Sequence, residues 1–159
     1  MTQAHVVTVS DRSADGSRPD AAGPAAVALL EAAGFSVTAE VIPDGAWGVE
    51  RAISAAIAKG SRLIITSGGT GIGPRDRTPE GTAAVLDRDL PGVAELLRRH
   101  GEASLPHAAL SRGLVGVIDG PPGALIANLP GKPAAVIEGL EVLLPLAGHI
   151  LDQLDGGDH

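Results

Sequence analysis

With 159 residues, 44% of them hydrophobic and 19% charged, the chain can bury one full core and reads as globular rather than disordered. Its net charge of −7 argues against sequence-independent nucleic-acid binding, and the lack of cysteine excludes disulfides, thiolate metal sites and a cysteine nucleophile. Glycine, proline or charge interrupts every apolar run, and no basic segment with an apolar run follows the first methionine, so the sequence predicts neither a membrane span nor a signal peptide and a cytoplasmic setting.

In chain order, HVVTVS (5–10) predicts a first strand and DAAGPAAVALLEAAGF (20–35) a helix that stops near Gly34. SVTAEVI (36–42) predicts a second strand ending at the turn Pro43-Asp44-Gly45. From Trp47 to Lys59, apolar residues at helical spacing predict a second helix, with Trp47 packing on a helix face. RLIIT (62–66) has the fully apolar pattern of a strand covered on both faces. A glycine-rich stretch then leads to Thr78-Pro79-Glu80, which predicts a helix start with Thr78 as hydroxyl cap. Residues 91–101 predict a helix, LVGVID (114–119) and ALIANL (124–129) strands joined by a GPPG turn, and 132–154 a last helix that Pro145 should break or kink. The alternation of strand and helix predicts one domain over 1–159, a three-layer α/β/α sandwich with a mostly parallel central sheet.

The stretch TSGGTGIGPRDRTPE (66–80) is the most demanding backbone in the chain. In open α/β sheets, ligands bind beyond the carboxyl ends of strands, and a helix N-terminus there favours anions. Glycines 68, 69, 71 and 73 make this loop a phosphate cradle on one reading and a tight strand-to-helix turn on the other. It is not a P-loop, and it is not G-x-G-x-x-G. Asp76 beside such a cradle would repel a phosphate unless a cation lay between them, and magnesium held by one or two carboxylates plus substrate phosphates is the usual solution. Asp44 ends the preceding strand, so a parallel sheet brings it to the same edge; Asp11 and Asp20 follow the first strand and could join. The alternative leaves Asp44 capping a turn and Asp76 pairing with an arginine. Arg112 and Lys132 lie in loop-anchor segments and are candidate phosphate contacts. The histidines at 5, 100, 107, 149 and 159 lack metal-ligand spacing, and no G-x-S-x-G elbow points to a covalent serine enzyme.

The loop resembles the signature of the molybdenum cofactor biosynthesis proteins of the MogA/MoaB type, also seen in gephyrin-like proteins. TVSDR, VIPDG, PGVAELLR, LSRGLVGV and NLPGKP look like further landmarks of that family in the family's order, so the likeness spans roughly the whole chain. The resemblance implies the molybdopterin-binding fold and a molybdopterin adenylyltransferase of the MogA-like branch. Such an enzyme uses magnesium-ATP to attach AMP to the terminal phosphate of molybdopterin. Asp44 and Asp76 fall where that branch carries its essential acidic residues and are the expected catalytic pair and Mg2+ ligands. Ser67, Gly68, Gly69, Thr70 and Gly71 are then expected to hold phosphate or pterin oxygens. Ser10, Arg12, Pro130, Gly131 and Lys132 would complete the pocket, with Arg112 as a further phosphate contact. The family also implies a homotrimer and other enzymes of the same biosynthesis as partners, with no nucleic acid and no membrane. The rivals are a non-catalytic, MoaB-like pterin binder and, third, a nucleotide pyrophosphate hydrolase of the competence-damage type.

Overall fold

Apolar residues placed for burial on both faces of a sheet define the centre of the molecule. The computed structural model describes residues 1–157. Six strands, β1 (Gln3–Val9), β2 (Ser36–Ile42), β3 (Leu63–Ser67), β4 (Arg88–Asp89), β5 (Val115–Ile118) and β6 (Ala124–Leu129), form one sheet in the order β2-β1-β3-β6-β5-β4. β2, β1, β3 and β6 run parallel, and β5 runs against its neighbours β6 and β4. The helices are α1 (Asp11–Ala14), α2 (Ala22–Ala32), α3 (Ala46–Ala58), α4 (Thr78–Ala83), α5 (Pro91–Ser104) and α6 (Pro133–Leu154), with a 3-10 turn at Pro106–Leu110.

Strand residues alternate between two cores. Val6, Leu63, Ile65, Leu125 and Ala127 pack with α2, α5 and α6 on one face. Val7, Ile64 and Ile126 pack with α3 on the other. This is the three-layer sandwich read from the pattern of elements, with aliphatic side chains replacing aromatics throughout the core. Only Phe35 among the aromatics packs against it. Trp47 does not: it is exposed, with the Arg51 guanidinium 4.5 Å from the ring centroid, so its predicted helix-face packing is a stacking with its own helix neighbour.

Three local expectations need correction. α6 runs unbroken through Pro145. Pro145 lies on the exposed side while Leu143 and Ala147 are buried, so the carbonyl that loses its partner can be met by water. By length and a mean hydropathy of 1.6, α6 alone among the described residues meets the requirement for a membrane span, but its Val136, Leu140, Leu143, Ala147 and Leu151 row is built into the core. α5 continues past Gly101 to Ser104, and the Ala108 methyl of the following 3-10 turn lies 3.0 Å from where a Gly101 Cβ would stand. Thr78 is the first residue of α4 rather than its cap, and its hydroxyl is committed elsewhere, as described below. His5 is buried as a structural residue, with its ring nitrogens 2.7 Å from Thr38 Oγ1 and 3.0 Å from Glu40 Oε1. His100, His107 and His149 are exposed; His159 lies outside the described residues.

Leu143 is fully buried between α6 and the sheet. Leu143→Ala is expected to lower unfolding free energy by about 2–5 kcal/mol, read from the shift of the urea midpoint at unchanged slope.

Candidate functional site

The strand order reverses at β1, where successive crossovers leave to β2 on one side and β3 on the other. The carboxyl ends of β1, β3 and β6 open there on a cleft of about 630 Å³. Ser10 to Ser13, Asp44, Ser67 to Gly71, Asp76, Gly131 and Lys132 all line it. The sheet thus brings together both predicted carboxylates, the glycine loop and the two flanking loops.

The loop is folded by close approaches that leave no room for side chains. Gly68 has φ +103°, and a Cβ there would stand 2.3 Å from the Val9 carbonyl oxygen. Gly69, at φ +66°, would collide with Thr78 Oγ1 at 2.3 Å and press on Asp44 Oδ1 at 3.3 Å. A Cβ on Gly71 or Gly73 would meet Asp76 Oδ2 at 2.9 or 2.8 Å. Each glycine therefore clears space for a specific oxygen, two of them carboxylate oxygens of the candidate pair. The Thr78 hydroxyl donates to the Gly68 carbonyl at 2.8 Å, and the Thr78 N–H to that of Gly69 at 3.1 Å, which locks the loop onto α4. Asp76 Oδ2 accepts the Gly73 N–H at 2.9 Å, folding the carboxylate into its own loop.

Asp44 is held by reciprocity. Its Oδ2 accepts the Asp11 N–H at 2.9 Å, and its own N–H donates to Asp11 Oδ1 at 3.0 Å. Burial pushes the Asp44 carboxyl above the usual aspartate range; the Asp11 N–H opposes this, and the charges of Asp11 and Asp76 add to it. Asp11 is shifted the other way, chiefly by its hydrogen bonds from Arg75. Asp20 is occupied: Oδ2 accepts from the Thr8 hydroxyl at 2.8 Å, and Oδ1 accepts the Gly23 N–H at 2.9 Å in the first turn of α2.

Other candidates separate by what their polar groups already hold. The Gly68 N–H donates to the Leu129 carbonyl and the Ser67 hydroxyl to the Pro130 carbonyl, at 2.9 and 3.2 Å, so both fasten the loop to the end of β6. Among the described residues, the N–H groups of Gly69, Thr70 and Gly71 meet no protein acceptor. Arg12 and Lys132 line the cleft without a carboxylate partner among the described residues. Arg18, which sequence reasoning missed, joins them there through a 3.4 Å contact with Ser10 Oγ. No spacing rule singles out a lone arginine in a loop. Arg112 stands outside the cleft: it donates to the carbonyls of Gly71 and Asp76, each at 2.9 Å, and to Glu80 at 2.6 Å. In this geometry its guanidinium clamps the loop from behind.

A divalent cation fits this donor set in one way. Among the described residues, no group of three or more metal-ligating side chains exists. Asp44 and Asp76 line one cleft, and one oxygen of each is left without a hydrogen bond among the described residues. Two carboxylates without a cage suit a cation that arrives with phosphate ligands of its own. Across the loop, Thr70, Gly71, Gly131 and Lys132 also border a second, mainly apolar hollow of about 310 Å³ between α5, α6 and the 3-10 turn.

Residues 5–149 match the family model described as a probable molybdopterin binding domain. The molybdenum cofactor biosynthesis bifunctional protein of Synechococcus elongatus is 41% identical over 98% of the chain, and the chain spans about half (48%) of that relative's length. The molybdopterin adenylyltransferase of Haemophilus influenzae is 39% identical over 92% of the chain and 75% of its own length. A solved structure titled for MogA superposes with a TM-score of 0.89 at 46% identity, covering 96% of this chain and 99% of that one.

The Arg112 clamp makes acid stability testable. Arg112 holds the Glu80 carboxyl below the ordinary glutamate value of 4.5, so this pair stabilises the folded loop fully above that pH and loses its contribution as pH falls through the lowered native value. Urea midpoints measured from pH 6 down to pH 3 are expected to fall less steeply at the acid end for Glu80→Gln than for the unaltered chain.

Proposed function

The chain belongs to the family of molybdopterin-binding domains, and from that premise we propose that it is a molybdopterin adenylyltransferase, transferring AMP from ATP to the terminal phosphate of molybdopterin. The observation that carries this reading is the pair Asp44 and Asp76 on one polar cleft, each lodged against glycines of the same loop. A pterin binder needs the loop but not two carboxylates beside it.

In this reaction a terminal phosphate oxygen of molybdopterin attacks the α-phosphorus of ATP. A new P–O bond forms as the bond between the α-phosphorus and its bridging oxygen breaks, and pyrophosphate leaves with that oxygen. No covalent nucleophile is needed, because phosphoryl-type transfer depends mainly on positioning and charge neutralisation. The amides of Gly69, Thr70 and Gly71 donate to phosphate oxygens, and Arg12, Arg18 and Lys132 draw the polyphosphate into a chain whose net charge would repel it. Asp44 and Asp76 would hold Mg2+, which neutralises the two anions as they approach. The apolar hollow on the far side of Thr70 and Gly71 receives a flat ring by shape, with the imidazoles of His100 and His107 as the only rings in its lining. Assembly as a homotrimer, partnership with other enzymes of the same biosynthesis and a cytoplasmic setting belong to the same proposal.

Incubation of purified molybdopterin with the protein and magnesium-ATP, followed by mass analysis, is expected to give an AMP-bearing pterin and pyrophosphate. Asp44→Asn and Asp76→Asn are each expected to lower kcat by about 10²-fold or more while retaining pterin. Tight pterin binding without any AMP adduct would contradict the reading and leave the loop a holder.

A further inference from the structure

Arg75 is the one loop residue that reaches back across the cleft mouth. Its Nε and Nη2 donate to Asp11 Oδ2 and Oδ1 at 3.0 and 2.9 Å, a bidentate fork, and Nη2 also donates to the Asp44 carbonyl at 2.9 Å. Asp11 in turn exchanges two hydrogen bonds with Asp44. The result is a closed ring of contacts joining the glycine loop, the end of β1 and the end of β2. Asp76 is the next residue in the chain, and it is tethered separately, through Gly73 in front and the Arg112 clamp behind.

As an ion pair the contact contributes little to stability, because the side chains of Arg75 and Asp11 are 64% and 43% exposed. Its value is geometric. We propose that Arg75 is the positioning residue that sets Asp44 opposite Asp76, acting through Asp11, so that the two carboxylates meet a divalent cation carried by a nucleoside triphosphate. The inference rests on the reading of the cleft given above. A lysine cannot reproduce it: one ammonium provides the charge but not the planar fork that grips both oxygens of Asp11 while reaching a carbonyl.

The test uses Mn2+ as probe with a non-hydrolysable ATP analogue, following bound manganese by electron paramagnetic resonance and nucleotide alone by calorimetry in EDTA. Arg75→Gln is expected to weaken Mn2+ binding in the ternary complex roughly tenfold, as loss of an outer partner of a metal ligand typically does. Metal-free nucleotide affinity and the urea midpoint should stay unchanged. Asp11→Asn, which breaks the same fork from its other end, should reproduce the loss, and Arg75→Lys should recover only a minor part of it. Wild-type manganese affinity in Arg75→Gln and Asp11→Asn, or full recovery by Arg75→Lys, would overturn the inference while leaving the adenylyl-transfer reading intact. Equal losses of metal-free and metal-bound nucleotide would also overturn it, by reducing Arg75 to a brace for the loop. Failure of the unaltered protein to bind the manganese–nucleotide pair at all would instead count against the reading of the cleft itself.

Discussion

Backbone crowding at the carboxyl edge of β3 governs the site. Gly68 lies so close to the Val9 carbonyl, and Gly69 so close to Thr78 and Asp44, that any side chain would force the loop outward. The crowding has a purpose visible in what occupies the saved space: carboxylate oxygens of Asp44 and Asp76, and the hydroxyl that ties the loop to α4. A loop that served only to turn the chain from β3 into α4 would not need four glycines against four different oxygens. Left-handed backbone at Gly68 and Gly69 is inexpensive only for glycine, so the sequence and the placement of the acids are two sides of one constraint.

Electrostatics explains why the two acids are held by backbone and by neighbours rather than left to solvent. Asp44 is partly desolvated and feels the charges of Asp11 and Asp76, both of which disfavour its ionised form. The Asp11 N–H and the fork of Arg75 offset part of that cost. What remains is a cleft in which acidic oxygens face uncommitted amides and a rim of arginine and lysine. Under the proposed function, such a mixture would attract a polyphosphate and a cation together better than either alone. A cage of three or more ligands would suit a resident metal; the two acids would suit the cation proposed above, one that comes and goes with its substrate.

Much of this was legible in the chain because it rests on strong local signals. The β3 run of apolar residues, the alternation of strands and helices and the Pro43-Asp44-Gly45 turn signature indicated where both acids would emerge, since strands of a parallel sheet deliver their ends to one edge. The family likeness of the loop and its companion segments pointed to the same pair. Less was legible where tertiary contacts decide. Thr78 has the sequence of a cap, yet its hydroxyl serves Gly68, a partner ten residues back that no window reveals. Pro145 has the sequence of a helix breaker, yet its exposed position lets the helix continue. Arg112 carries the charge expected of a phosphate ligand, and no local signal shows that Glu80 and two loop carbonyls also hold it. β4, two residues long, gives no periodic signal at all. Each of these depends on what a side chain meets across the fold rather than along the chain.

On the proposed function, cation and polyphosphate meet between Asp44 and Asp76 over the glycine loop. Crystals grown with Mn2+ and a non-hydrolysable ATP analogue, with data collected at an energy where manganese scatters anomalously, test it most directly. One anomalous peak coordinated by both aspartates is expected, with phosphate oxygens accepting from the amides of Gly69 to Gly71. Manganese away from the pair, or the triphosphate bound outside this cleft, would contradict it.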